Sequence, residues 1–157
     1  MDAQTIQSEA PQQSSPDAVK FMRTLQSIES AKDVAPMLEL YDEESTLWKP
    51  SQQDAVTGVE GARKFWSEYL APFAQIHSEF NNVIENEGGD IVLEWVSSGE
   101  LAKGGPIRYT GVSLVKMVDG KVQYFRTYYD SAAFLSGKSV NEEQPTGKGE
   151  AGGSSEE

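Results

Sequence analysis

The chain has no cysteine, one histidine (His77), and only 13 Lys and Arg against 25 Asp and Glu in 157 residues. Without thiols there is no disulfide, no thiolate metal ligand and no cysteine nucleophile, which fits a reducing compartment. One imidazole and no D-x-D-type cluster leave no ligand set, so neither a metal nor a cofactor is expected. No apolar run approaches the ~20 residues that span a bilayer. The segment from Met1 to Pro16 lacks a basic start and an apolar stretch. It does not read as a secretory signal, so a cytoplasmic location and no membrane partner are expected. The net charge of −12 repels phosphate backbones and disfavours nucleic acid as a partner.

What is present divides into three parts. Residues 1–15 are polar and poor in large apolar side chains, and residues 137–157 are rich in Gly, Ser and Glu. Neither segment can bury enough surface to offset its chain entropy, so both are expected to be disordered tails. Residues 16–136 form the single expected domain, long enough to hold a core without staples. Ser15 suits an N-cap and Pro16 the first helical position, and Phe21, Met22, Leu25 and Ile28 then recur at helical spacing. A short helix is expected from Asp33, followed by a brief strand at Thr46-Leu47-Trp48. A third helix starts at a T-x-x-E capping box, Thr57 and Glu60, and buries Ala62, Phe65, Trp66, Tyr69 and Leu70 before Pro72.

From residue 74 onward the pattern is extended. Strands are expected at 74–86, 91–102, 107–118 and 121–130, with turns at Gly88-Gly89-Asp90, Gly104-Gly105-Pro106 and Asp119-Gly120. Those glycines lie between strands rather than before helices, so they are not phosphate loops. In 91–102, Ile91, Leu93, Trp95, Ser97 and Leu101 share one face. Helices followed by a meander of long strands indicate an α+β domain with helices on one face of an antiparallel sheet.

Several segments in this order resemble the nuclear-transport-factor-2-like (NTF2-like) superfamily, and within it the SnoaL-like and ketosteroid-isomerase-like branch. They are Leu40-Tyr41-Asp42-Glu43, Trp48-Lys49-Pro50, Thr57-Gly58-Val59-Glu60-Gly61, Asp119-Gly120-Lys121-Val122, and the run from Arg126 to Phe134. The resemblance spans about Val19 to Phe134. It implies a cone-shaped pocket between a curved sheet and its helices, and a homodimer. It does not imply one activity, because the superfamily holds isomerases, dehydratases, cyclases, epoxide hydrolases and non-catalytic adaptors.

Two of those chemistries find no residues here. Where similar isomerases carry an aspartate base before a proline, this chain has Lys49 before Pro50, which reads as a lysine at the pocket rim. The strand 107–118 also offers no carboxylate for their oxyanion partner. Where the epoxide hydrolases carry an Asp–Arg–Asp set, this chain has Trp95, Ser97 and Thr127. His77 lies on the strand that carries a histidine in dehydratase-like members, and Asp130 lies near an aspartate of the cyclases. Their resemblance implies a base and an acid, with Tyr129 or Tyr109 donating to a substrate oxygen. His77 also suits a solvent-facing strand position, and Asp130 a helix cap. The family's strand parity further implies a ligand-binding face of Trp48, Trp95, Ser97, Tyr109, Gly111, Ser113, Phe125, Thr127 and Tyr129. Such a face suits a small hydrophobic carbonyl or hydroxy compound held by a few hydrogen bonds, unless the rings fill the cone. A proton-transfer enzyme without cofactor, a non-catalytic ligand binder and a dimerising or adaptor domain all remain open.

Overall fold

The structure is a computed structural model, and it describes residues 14–136. Apart from Ser14 and Ser15, the two tails expected to be disordered lie outside the described residues.

Helix α1, Pro16–Ala31, begins as its sequence dictates: the Ser15 hydroxyl accepts from the Ala18 amide at 3.1 Å, satisfying one of the donors a helix start leaves free. Its expected stripe of Phe21, Met22, Leu25 and Ile28 is buried. It stops at Lys32, whose left-handed backbone (φ 58°) closes the C-terminus. Helix α2, Ala35–Leu38, is a single turn. Helix α3, Gly58–Leu70, buries Ala62, Phe65 and Trp66. The capping box expected at its start does not form: the Thr57 side chain makes no cap bond. Glu60 instead pairs with Arg63 one turn on, at 3.1 Å. Gly58 follows Thr57 with φ +81°, a turn that takes the chain into the helix by a route the box motif does not describe.

The strands are β1 Thr46–Trp48, β2 Val56–Thr57, β3 Phe73–Glu85, β4 Asp90–Leu101, β5 Pro106–Val118 and β6 Lys121–Tyr129, followed by a one-turn helix α4, Ala133–Ser136. They form one sheet in the order β2-β1-β6-β5-β4-β3. The four long strands make the expected antiparallel meander. The pairing of β1 with β6 is parallel, with Leu47 opposite Phe125 and Trp48 opposite Arg126, which departs from an all-antiparallel expectation. The sheet curves, and the helices lie against its inner face.

Irregularities in the β3–β4 register near Phe73/Gln75 and Phe80/Asn82 mark where extra residues raise the local twist. One core joins the layers. Phe125 of β6 packs its ring 5.5 Å from Phe21 of α1, and 5.7 and 5.1 Å from Phe65 and Trp66 of α3. Each such ring, fully buried, contributes about 1.5–3 kcal/mol through removal from water.

Candidate functional site

The inner face of the sheet decides whether the cone is solid or hollow. Its alternating inward positions carry large side chains toward both ends and small ones in the middle. At one end stands Phe125, covered by Phe65 and Trp66 of α3. At the other, Tyr109 packs 6.3 Å from Phe73, 5.8 Å from Tyr129 and 4.9 Å from Phe134. Between them the chain has Ser97, Gly111, Ser113 and Thr127, which cannot fill the volume a ring would occupy. A cavity of about 310 Å³ results, lined by the two aromatic groups, Trp95, Ser97, Ser113 and Thr127. The rings therefore wall the cone without plugging it. Lys49 and Glu68 also line the cavity, and the Lys49 ammonium lies 5.2 Å over the Phe65 ring, in accord with a rim lysine whose stem covers apolar surface.

Two hydrogen-bonded strings run through this wall. In the first, Trp95 Nε1 donates to Ser113 Oγ at 2.9 Å, and Ser113 Oγ pairs with Thr127 Oγ1 at 2.8 Å. Cross-strand register produces it: Trp95 is opposite Gly111, and Ser113 opposite Thr127. Gly111 is required because a Cβ there would lie 2.4 Å from Trp95 Cζ2. The second string starts behind the wall, at Glu29 of α1, which is only 3% exposed. Glu29 Oε2 accepts from Tyr69 Oη and from Ser78 Oγ, both at 2.6 Å, and Oε1 accepts from the Ser78 amide at 2.8 Å. Ser78 Oγ continues to Ser97 Oγ at 2.6 Å. Tyr69, Ser78 and Ser97 line the cavity. Glu29 also lines a second groove, at the end of α1 beside β3, together with Ser30, Lys32, Gln75, Ile76 and His77.

Burial pushes the Glu29 carboxyl above its ordinary value, against the pull of its hydrogen bonds from Ser78 and Tyr69 and of His77 nearby. Tyr69 and Tyr109 are pushed up by burial first and by neighbouring groups second, so both remain hydrogen-bond donors at any physiological pH. Because Glu29 has a higher pKa folded than unfolded, the fold prefers its protonated form. Its contribution to stability is full below the ordinary carboxylate range and declines as pH rises through the folded value. Glu29→Gln is therefore expected to gain on the wild type as pH rises from 5 to 8 in urea unfolding, a window above the ordinary glutamate pKa of about 4.3. A difference between the two that stays constant with pH would show that Glu29 is not perturbed.

The residues singled out by sequence fall into two groups. Trp95, Ser97, Tyr109, Ser113, Phe125, Thr127 and Tyr129 all line the cavity. Trp48, Gly111, His77 and Asp130 do not. Trp48 points to the outer face, with its ring 5.7 Å from that of Tyr128 and its Nε1 donating to the Gln52 carbonyl at 3.1 Å. Its neighbour Leu47, opposite Phe125, is the inward residue and is fully buried. His77 sits between the inward Ile76 and Ser78 on β3. Its side chain is 59% exposed, and its Nε2 lies 3.8 Å from Glu79 Oε2. Asp130 is exposed beyond the end of β6, and its Oδ1 accepts from the Ala132 amide at 3.1 Å. That bond gives it the turn-capping role that Asp performs at such positions. The structure thus does not bring His77 and Asp130 together in the cavity. Sequence reading passed over Glu29, yet a signal was present: it stands four residues after Leu25 and seven after Met22, on the buried stripe of α1.

Among the described residues no group of His, Asp and Glu could hold a metal ion, and no helix is long and apolar enough to cross a membrane.

Helices laid on one face of a curved, unclosed sheet, with a hollow between them, define an α+β protein of the nuclear-transport-factor-2-like type. The SnoaL-like domain model matches residues 19–125, and the chain belongs to that family. Solved structures of the same fold include a putative SnoaL-like polyketide cyclase from Jannaschia sp. CCS1. It is 21% identical with a TM-score of 0.65, over 80% of this chain and 96% of that one. An NTF2-like protein from Anabaena variabilis ATCC 29413 is 22% identical with a TM-score of 0.67, over 78% and 90% of the two chains. TerC co-crystallised with polyporic acid is 15% identical with a TM-score of 0.61, over 75% and 92%. Among curated proteins none matches the chain in sequence.

Proposed function

We propose that this protein binds a small, largely apolar molecule carrying a carbonyl or hydroxyl oxygen, and that the cavity between sheet and helices is its site. The observation that carries this reading is the cavity wall itself. Its volume of about 310 Å³ lies at the small end of the roughly 300–1,000 Å³ common for ligand sites. Rings and aliphatic groups form most of its surface, while Ser97, Ser113, Thr127 and Tyr129 supply a few hydroxyls. Rings give affinity by burial; hydroxyls orient the ligand's oxygen. TerC, which shares the fold, was co-crystallised with the small molecule polyporic acid, which is consistent with such an occupant.

A second reading, cofactor-free proton transfer on the bound molecule, is favoured by the position of Glu29. It is a buried carboxylate one hydroxyl removed from the cavity-lining Ser97, and it is better placed for acid–base work than the exposed His77 or Asp130.

Binding is tested with 1-naphthol as probe. It is expected to raise the melting temperature of the wild type in proportion to the logarithm of its concentration. In Thr127→Met, whose longer side chain enters the cavity, the affinity is expected to fall about tenfold or more, the equivalent of ~1.4 kcal/mol. A probe that does not stabilise the wild type, or that stabilises both proteins equally, would contradict the proposed site.

A further inference from the structure

The hydrogen-bond count around Glu29 leads further than the binding reading, on which it rests. Oε1 faces the Ser78 amide at 2.8 Å, a group that can only donate, so this oxygen is an acceptor in every state. Oε2 faces two hydroxyls, Tyr69 and Ser78, each at 2.6 Å. When Glu29 is ionised, both hydroxyls donate to Oε2. Ser78 has then used its only hydrogen, so its 2.6 Å partner Ser97 must donate to it, and Ser97 turns a lone pair toward the cavity.

When Glu29 is protonated, the proton resides on Oε2, and one of the two hydroxyls must accept it. If Ser78 accepts, its own hydrogen turns to Ser97, and the Ser97 hydrogen is released into the cavity. If Tyr69 accepts, its phenolic hydrogen turns either to the cavity or to the neighbouring Tyr109, whose own hydroxyl then turns to the same cavity. Both routes lead to the same result. Each proton taken up by Glu29 adds one hydrogen-bond donor aimed at the ligand, and no heavy atom has to move.

We propose that Glu29 is a positioning residue that sets the hydrogen-bond polarity of the cavity, so that ligands presenting only an acceptor oxygen, such as ketones, bind with uptake of a proton at Glu29. The proton comes from solvent through the second groove that Glu29 also lines. It forms the Oε2–H bond, and the hydroxyl hydrogens shift along the string without any other bond being broken. The titratable and charged groups around Glu29 are Lys32 at the end of α1, Tyr69 on α3, His77 on β3 and Tyr109 on β5. Lys32 is occupied by the Ala74 carbonyl. The two tyrosines stay protonated in this window because burial raises them. Only His77 and Glu29 therefore need to be separated by experiment.

The test pairs a ketone with its alcohol, 1-tetralone and 1-tetralol, by isothermal titration between about pH 5 and 8, above the ordinary glutamate range. Two buffers of different ionisation heat report the protons taken up. The ketone is expected to bind with proton uptake and to weaken roughly three- to tenfold as pH rises, the range set by one neutral hydrogen bond. The alcohol, which can donate or accept, is expected to show no such slope. In Glu29→Gln the ketone slope should vanish; in His77→Gln it should remain. Wild-type proton uptake needs no variant, so a misfolded Glu29→Gln does not remove the test. Both ligands binding with equal proton stoichiometry, or a slope that follows His77 instead of Glu29, would overturn the switch and leave the binding site intact. Failure of both ligands to bind would overturn the site and the switch together.

Discussion

Gly99→Ala is expected to be the most damaging single substitution in the sheet, costing about 3 kcal/mol or more, at the upper end of overpacking effects. A Cβ at position 99 would lie 2.0 Å from the Gln75 carbonyl oxygen, 2.8 Å from its carbon and 2.9 Å from Ile76 Cα. All three are backbone atoms, so no rotamer change relieves the contact. The residue sits opposite Ile76 beside the register irregularity between Phe73 and Gln75. There β3 closes over β4 and bends the sheet around the hollow. Separating the two strands would straighten that bend as well as break their ladder. The expected readout is a fall of roughly 10 °C in melting temperature, using the ~2–4 °C per kcal/mol of domains this size, with a matching loss in urea midpoint. An alanine variant as stable as the wild type would show that the two backbones do not approach so closely.

Gly111→Ala acts on the site rather than on the bend. Its Cβ would fall 2.4 and 2.6 Å from the Trp95 ring and 2.6 Å from the Tyr128 carbonyl. The indole is the softer neighbour and must leave. In doing so it gives up its hydrogen bond to Ser113 and enters the cavity it now walls. The expected cost is about 1–3 kcal/mol in stability, together with at least a tenfold loss (~1.4 kcal/mol) of affinity for an apolar probe. The part of the damage that comes from the indole should be coupled to Trp95, while the clash with the Tyr128 carbonyl is not. Adding Trp95→Phe to Gly111→Ala removes the distal ring atoms and is expected to recover part of the lost stability, although Trp95→Phe alone destabilises. Purely additive effects would show that the indole does not lie over Gly111.

Much of this architecture was legible wherever a period repeats often enough to fix a face. The alternation of Ile91, Leu93, Trp95 and Ser97 gave the inward face of β4, while the inward set on β5 and β6 came from the strand parity that the resemblance implies. Ser15, Pro16 and the stripe behind them located α1. The failures have separate physical causes. β1 has three residues, too few to fix a parity, and the face assigned by resemblance was off by one, so Trp48 was taken for Leu47. On β3, His77 stands between the inward Ile76 and Ser78, so the solvent-facing position that the sequence also allowed is the one it takes, and not that of the base implied by resemblance. The T-x-x-E box at Thr57 was overridden by the positive φ of Gly58. Glu29 was hidden by its charge: a carboxylate on a buried stripe is read as a surface residue unless partners are known to await it. Its partners Tyr69 and Ser78 come from 40 and 49 residues away in the chain, a distance no local pattern spans.

The account depends on a guest entering between sheet and helices, and amide chemical shifts on titration with 1-naphthol test that most directly. The largest shifts are expected at Ser97, Tyr109, Ser113 and Thr127, with Trp48, His77 and Tyr128 unmoved. Shifts confined to Trp48 and Tyr128, or none at saturating probe, would place the ligand outside the cone and contradict the account.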